Sequence, residues 1–501
     1  MLQLKHLTMI QEKDLHTLVE NLSATIQIGD KLAIIGEEGT GKSSLLQVIY
    51  NPNLVTDYLK IEGEIINHFS SMAYLPQLLP AEEANKSLSD FIFDDLDYTT
   101  FDFNLLYQLA GQLQFDSQRL DNQEQTVCQL SGGEKIKIQL LKVLAGQSDL
   151  LLLDEPSSDL DMETIIWLED FIQQSPLTII FISHDEELLK KTATKLIHLE
   201  QIKKGSQARS RFIAQDYQSY QEERQAGLIR QEQLARKERE EQADRLQTLH
   251  QTKSAVRDAL VKTKNDSEGR LLAKKMKNLL SRENRYLREA EQFTELPDNP
   301  DTIGLFFDQI DALPAQKVLL DFYQEPLITG QEISLTILGQ EKLAITGQNG
   351  VGKTLLLKKI KDKLSQNPHI SLGYMPQDYV EELKPDCSTL EFLAQQDNPE
   401  RARTLLASIK FTRQEVELPI SQLSGGQKAK LFLAKMVYQK NNVIILDEPS
   451  RHFSPTAMPE IYRLLENFSG CLITVPHDRH FIENVCSSTY RLTASKLEKL
   501  H

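Results

Sequence analysis

One octapeptide occurs twice in this chain. Gly36-Glu-Glu-Gly-Thr-Gly-Lys42-Ser43 returns 311 residues later as Gly347-Gln-Asn-Gly-Val-Gly-Lys353-Thr354. Both copies fit G-x-x-x-x-G-K-[S/T]. Each stands between a short apolar run (Lys31–Ile35; Lys342–Thr346) and an apolar helical pattern (LLQVI; LLLKKI). That order predicts strand, loop and helix, the context in which the pattern cradles phosphates. Gly36, Gly39 and Gly41, and again Gly347, Gly350 and Gly352, let successive backbone N–H groups wrap an anion. The N-terminus of the next helix adds a favourable dipole. Lys42 and Lys353 should reach the β- and γ-phosphates of ATP, and Ser43 and Thr354 should hold Mg2+. Ser44, Asn349 and Leu355 complete the expected nucleotide contacts.

Three further motifs repeat at a constant offset of 293 residues. Leu130-Ser-Gly-Gly-Glu134 returns as Leu423-Ser-Gly-Gly-Gln427, the apolar run ending in Asp154-Glu155 as one ending in Asp447-Glu448, and Ser183-His184-Asp185 as Pro476-His477-Asp478. The back half of each unit therefore keeps one spacing. The first copy carries 18 additional residues between its glycine loop and its LSGG. Gln77 and Gln377, each preceded by Pro, divide these into 11 before and 7 after. An acidic pair closing a buried strand suits metal and water chemistry. Asp154 and Asp447 would bind Mg2+ directly or through water, and Glu155 and Glu448 would polarise the attacking water as general bases.

LSGGE and LSGGQ resemble the signature of the ATP-binding-cassette superfamily. The resemblance implies an α/β fold with two ATP-binding-cassette (P-loop NTPase) domains and two composite sites. Ser131, Gly132 and Gly133, and equally Ser424, Gly425 and Gly426, would present helix-terminal N–H groups to a γ-phosphate held by the other cassette. Site one would pair Lys42 with Ser424, and site two Lys353 with Ser131. His184 and His477 match the family's switch histidine, and Gln77 and Gln377 its Mg2+- and water-sensing glutamine. Tyr323, 30 residues before Lys353, is the candidate adenine-stacking ring. The matching region of the first copy offers only His16. Two positions depart from the family pattern. Glu38 stands where Asn is common, and Ser454 where the segment after the acidic pair usually has Asp. A carboxylate near phosphates is unfavourable unless it points away. We therefore expect two competent but unequal ATPase sites.

The net charge is −16, which by itself counts against a nucleic-acid partner. The charge is uneven, however. Residues 201–296 hold 21 Lys+Arg against 15 Asp+Glu, so a mildly basic middle separates two acidic ends. From about Phe212 to Phe293 the only helix breakers are Gly227 and Gly269, and good helix formers dominate. Leu272, Met276, Leu279, Glu283, Tyr286 and Ala290 follow a 4-3-4-3-4 spacing, and Leu246, Leu249, Val256 and Leu260 form a comparable stripe. The stretch Lys262–Gly269 is the expected break. We read a long α-helical hairpin linker at 201–300, between a first cassette at 1–200 and a second at 301–501.

Two cassettes, no apolar run long enough to span a membrane, and a charged helical linker resemble the ABC-F proteins. That resemblance implies a cytoplasmic ATPase binding the 70S ribosome at its exit site, with linker contacts to rRNA and tRNA. It also implies a monomer with intramolecular cassette pairing and no membrane subunits. A basic linker on an acidic chain is what phosphate contact requires. Arg257, Lys262, Lys264, Arg270, Lys274 and Lys275 are the candidate RNA contacts, with Lys253, Lys277, Arg282 and Arg285 nearby. The N-terminus lacks a secretory h-region, and the four cysteines show no CxxC spacing, as expected for a reduced cytoplasm. ABC-F members either protect ribosomes from antibiotics at the peptidyl transferase centre and exit tunnel or serve translation as housekeeping factors. The segment Arg451-His-Phe-Ser-Pro455 is similar to the Arg-Asn-Phe-Ser-Pro form of several resistance members. The absence of a clear extra arm insertion points the same way. Protection is the first reading and housekeeping the second. The motor of a membrane transporter is a third, disfavoured by the long linker.

Overall fold

A computed structural model of the chain describes residues 1–500 except positions 14, 95, 97, 99, 203–206, 263–265, 291–292, 295–303, 308–309, 378, 380–386, 395–397, 450–452 and 477. It divides into two compact units. One comprises Met1–Tyr217 with Pro300–His501, and the other Gln218–Asn299.

The larger unit holds the two cassettes. In the first, β1 (Leu2–Gln11) and β2 (Thr17–Ile26) pair antiparallel, β3 (Lys31–Gly36) enters the main sheet, and β4 (Leu59–Asn67) returns to the other edge of β1. After β5 (Met72–Leu75), β6 (Leu150–Asp154), β7 (Thr178–Ile182), β8 (Lys195–Ile202) and β9 (Gln207–Ile213), the main sheet has the order β5-β6-β7-β3-β8-β9. Its first five strands are parallel, and β9 is antiparallel to β8. β3, β6 and β7 are buried at every residue, which is why they read as continuous Leu/Ile runs rather than as alternation. Leu45, Leu46, Val48 and Ile49 of the loop helix (Lys42–Tyr50) join Leu32, Ile34, Leu152 and Ile180 in one core. Parallel strands carry the segments beyond their C-termini to one edge of the sheet. The glycine loop comes after β3, Gln77 after β5 and His184 after β7, while Asp154-Glu155 closes β6, so all four motifs meet there.

The second cassette repeats the plan with β10 (Val318–Pro326), β11 (Glu332–Leu338), β12 (Lys342–Thr346), β13 (Leu372–Met375), β14 (Val443–Asp447), β15 (Cys471–Val475), β16 (Ser488–Leu492) and β17 (Leu497–Lys499). Its main sheet is β13-β14-β15-β12-β16-β17. Among the described residues its small sheet has two strands, β10 and β11, against β2-β1-β4 in the first copy. The extra residues before Gln77 therefore build a strand, β4, along β1.

The smaller unit is a helical hairpin. Its first arm is Tyr217–Lys262, 46 residues and about 70 Å long, and its second is Asp266–Ala290. The expected linker start at 201 is corrected, because Gln201 and Ile202 belong to β8 and residues through Ile213, Phe212 included, form β9 of the first cassette, so the helical unit begins at Gln218. The expected break through Gly269 is corrected too. Residues 266–269 form the first turn of the second arm, where acidic Glu268 suits the positive helix end and one glycine costs only ~1 kcal/mol. Leu249, Val256 and Leu279 are buried along the seam. Glu283, the polar member of the stripe, accepts a hydrogen bond from Lys253 Nζ at 2.7 Å, and Gln242 Nε2 donates to the Tyr286 carbonyl at 2.9 Å. Lys253 thus serves the seam rather than an outer contact.

Leu279→Ala should speed amide exchange in both arms by roughly 30-fold, the equivalent of ~2 kcal/mol of lost burial. Exchange in β6 and β14 should not change. Hydrogen–deuterium exchange on the full chain measures both, and equal acceleration in the cassette strands would contradict a separate hairpin unit.

Candidate nucleotide sites between the cassettes

Each glycine loop closes around its own lysine. Gly41 and Gly352, immediately before the loop helices, have φ of 91° and 104°, the left-handed region that glycine adopts without strain. A Cβ on Gly41 would also sit 3.0 Å from the Leu18 side chain. Lys42 Nζ donates to the carbonyls of Gly36 and Glu37 at 2.8 and 2.9 Å. Lys353 Nζ does the same to Gly347 and Gln348, at 2.8 and 3.2 Å, and reaches Asn349 Oδ1 at 3.2 Å. Both ammonium groups are buried. Burial draws their pKa below the ordinary lysine range, against the opposing pull of Glu155 and Glu448.

The acidic edge of the first cassette is fully assembled. Ser43 Oγ donates to Asp154 Oδ1 at 3.1 Å, and Tyr74 OH to Asp154 Oδ2 at 3.3 Å. Burial pushes the Asp154 carboxyl up to about 6, ahead of the opposing hydrogen bond from Ser43. Gln77 Nε2 donates to Glu155 Oε2 at 2.8 Å, and His184 Nε2 lies 3.2 Å from Glu155 Oε1. Burial alone would raise Glu155. The His184 contact and the nearby Lys42 outweigh it, so the carboxyl stays below its ordinary range and ionised. Glu155 and Glu448 both have φ of 52°, an uncommon left-handed setting for a non-glycine residue at a strand end. The Ser43 hydroxyl and the Asp154 carboxylate are hard oxygen donors already in contact, a set that fits Mg2+.

Each signature caps a helix. Ser131 exchanges bonds with Glu134 at the start of the helix Gly132–Ala145, and Ser424 with Gln427 at Gly425–Tyr438. Each helix N-terminus meets the glycine loop of the opposite cassette. At site two, Asn349 Nδ2 donates to the Asp159 carbonyl, and a Cβ on Gly133 would come within 2.6 Å of that carbonyl and 2.8 Å of Asn349 Nδ2. At site one, Gly426 donates its backbone N–H to Glu38 Oε2 at 2.7 Å, and Lys430 Nζ lies 3.2 Å from Glu37 Oε1. His184 Nδ1 lies 2.7 Å from the Phe453 carbonyl oxygen of the second cassette. The head-to-tail pairing is thus present at both sites.

At site two a cavity of about 770 Å³ is lined by Ser131, Gly132, Gly133, Asn349, Gly350, Gly352, Lys353, Thr354, Leu355, Gln377 and Glu448, all expected there from the sequence. Gly425, expected at site one, also lines it, as do Asp159, Tyr379 and Lys428, which were not expected. Tyr379 lies two residues after Gln377 and packs against Phe432, with ring centroids 5.2 Å apart and the planes tilted by 33°. Its proximity to the Pro-Gln pair was the available signal. Tyr323 is not among the lining residues. It lies on β10, 80% exposed. Asp447 closes β14 as Asp154 closes β6. His477 lies outside the described residues.

A family model described as ABC transporter matches residues 19–158 and 331–451. The probable ATP-binding protein YheS of Haemophilus influenzae is 27% identical, over 96% of this chain and 78% of its own length. The ribosome protection protein VmlR of Bacillus subtilis is 28% identical, over 96% and 85%. The human ATP-binding cassette sub-family F member 3 is 30% identical, over 73% and 50%. An archaeal ribosome recycling factor, solved in complex with the archaeal ribosomal stalk protein, shares the fold with a TM-score of 0.61 and 14% identity, over 99% of this chain and 90% of that one. The chain belongs to the ATP-binding-cassette family and, within it, to the ABC-F type. It is an ATPase.

Next to His184 lies a largely buried acidic cluster shared by both cassettes. Asp185 caps its helix by accepting from the N–H groups of Glu187 and Leu188 at 2.9 and 3.1 Å. Burial first, then the charges of Asp478 and Glu169, push its carboxyl up to about 6. Arg479 of the second cassette lies 3.3 Å from Glu169 Oε1, and the Tyr462 hydroxyl donates to Asp478. A carboxyl with a raised folded-state pKa favours the fold below its unfolded value and costs stability as pH rises through the folded one. Asn keeps the cap without the charge. Asp185→Asn should therefore stabilise by ~1–2 kcal/mol at pH 7.5, with the gain shrinking between pH 6 and 4. Thermal midpoints across that range test it, and a gain independent of pH would refute the cause given.

Proposed function

We propose that the protein is an ATP-driven, cytoplasmic ribosome-binding factor that protects the ribosome from antibiotics near the peptidyl transferase centre and exit tunnel. The observation that carries the ribosome reading is the hairpin. It keeps its apolar stripe in the seam and leaves Arg257, Lys262, Arg270, Lys274 and Lys275 on the exposed side. Exposed cations spaced along two long arms suit a phosphate backbone. Lys264 belongs to the same set by sequence and lies outside the described residues. The similarity to VmlR over 96% of this chain supports the protection reading.

In this proposal ATP joins the cassettes, because each glycine loop and the opposite signature share one nucleotide. Lys42 and Lys353 hold the β- and γ-phosphates. Ser43 with Asp154, and Thr354 with Asp447, hold Mg2+, which offsets phosphate charge. Gln77 and Gln377 complete that set. Glu155, kept ionised and aimed by Gln77 and His184, orients and deprotonates the attacking water, and Glu448 does so at site two. Ser44, Gly39 and the signature residues Ser424 and Gly425 complete site one. Hydrolysis removes the shared γ-phosphate and lets the cassettes part. A bound drug is shifted only if the protein binds the drug-free ribosome more tightly, so the position of the hairpin tip matters.

A housekeeping translation factor is the second reading. It would carry the same sites and arm, and YheS matches the same 96% of this chain.

Glu155→Gln with Glu448→Gln should lower ATP turnover by roughly 10²-fold or more while ATP still binds. That variant should co-sediment with ribosomes in ATP. Its absence from the ribosomal pellet would end the ribosome reading.

Shortening Arg257–Asp266 should abolish drug protection in a translating extract and leave basal ATPase nearly intact. Neutralising Lys262 and Lys264 should weaken ribosome binding and reduce its salt slope by about 1.5. If the wild-type protein protects no drug-inhibited extract yet alters drug-free translation, the housekeeping reading stands instead.

A further inference from the structure

The two departures from the family pattern, Glu38 and Ser454, meet at one site. In the first cassette, Lys137 of the signature helix lies 3.5 Å from Asp161, in the segment after the acidic pair. Asp161 also adds its negative charge to the surroundings of Lys353 in site two. The repeat offset of 293 residues places Lys430 opposite Lys137, and Ser454 opposite Asp161. Ser454 is buried, bonded to Thr456 and capping Ala457. It gives Lys430 no carboxylate. Lys430 instead crosses to Glu37 in the glycine loop of the first cassette, while Glu38 takes the Gly426 N–H at 2.7 Å.

The sites are therefore charge-swapped. Site two has a neutral loop residue, Asn349, and its carboxylates on the opposite segment, at Asp159, which lines the cavity, and Asp161. Site one has its carboxylates on the loop and a serine on the opposite segment. The Gly426 N–H belongs to the helix end that the cassette arrangement offers to a γ-phosphate. At site one it is already bonded to an anionic oxygen of the chain itself.

We propose that Glu38 is a specificity-determining residue of site one, a carboxylate standing in for the γ-phosphate, and that it makes this site prefer nucleoside diphosphate over triphosphate. With ADP on the Lys42 loop, Glu38 supplies the anion that the signature helix requires, and the cassettes stay joined there. ATP brings a γ-phosphate to the same N–H and must displace a carboxylate that repels it. Site two has Asn349 in its loop, with the Asp159 carboxylate beside Gly132 coming from the signature helix's own cassette rather than from the phosphate-binding loop, and it carries the ATP-dependent step. This inference stands on the ATPase activity alone and does not depend on the ribosome reading.

The test uses the full chain carrying Lys353→Ala, which silences site two, and Glu155→Gln, which prevents hydrolysis at site one. Calorimetric titration with Mg2+-ATP and with Mg2+-ADP gives the two affinities at site one. The parent should bind ADP more tightly. Adding Glu38→Asn should raise the ATP-to-ADP affinity ratio by about tenfold or more, and Glu38→Gln, which keeps an acceptor for Gly426 but no charge, should move it the same way. Lys430→Met, which removes the cation facing Glu37, should move the ratio further toward ADP. A ratio unchanged within about twofold in both Glu38 variants overturns the proposal. So does a Lys430 variant that shifts the ratio toward ATP. Damage to the fold would lower both affinities together and leave the ratio where it was, and that outcome also counts against Glu38 as the discriminator.

Discussion

Everything in the cassettes depends on one contact, a helix N-terminus facing a glycine loop across the cassette boundary. In the proposed reaction neither half is a nucleotide site by itself. There the loop would wrap a phosphate from one side through backbone N–H groups and a buried lysine, and the signature helix would offer its dipole from the other. The glycines are required because two backbones approach closely. A Cβ at Gly133 would collide with both its own chain and the opposite loop. The parallel sheet exists, in functional terms, to bring Gln77, Asp154, Glu155 and His184 to the same edge that this contact closes.

Cassette pairing also explains why so much charge is buried at the boundary. Lys42, Lys353, Asp154 and Asp478 are buried and Asp185 is partly so, and their pKa values are displaced in the direction that burial dictates. Such groups cost stability in isolation. They are sustained by neighbours from both cassettes: Glu155 by Gln77 and His184, His184 by the Phe453 carbonyl, and Glu169 by Arg479. A chain selected for tight closure alone would place apolar residues there.

The hairpin is the opposite case. Its seam is short of large apolar residues and is completed by an ion pair and a side-chain-to-backbone bond, Lys253 to Glu283 and Gln242 to Tyr286. Those contacts hold two arms side by side and leave the remaining basic residues to the outside. An acidic protein can then present a basic surface confined to one element.

The repeated octapeptide, the LSGG pairs and the buried Leu/Ile runs determined by themselves that the chain has two cassettes and most of the residues that line the cavity at site two. Those motifs are local: a glycine loop between strand and helix has few other ways to satisfy its backbone. Heptad-like spacing likewise determined the hairpin and its stripe, down to the single polar position. Three things were decided only by tertiary structure. The 11 extra residues became a strand because β1 had an edge left to pair. Tyr323 was placed outside the cavity and Tyr379 inside it, because ring positions depend on how β10 and the chain after β13 sit around the loop. The relation between Glu38 and Ser454, more than 400 residues apart, was decided there as well. Only the head-to-tail pairing brings Lys430 within 3.2 Å of Glu37, and a long-range ion pair leaves no periodicity in a sequence.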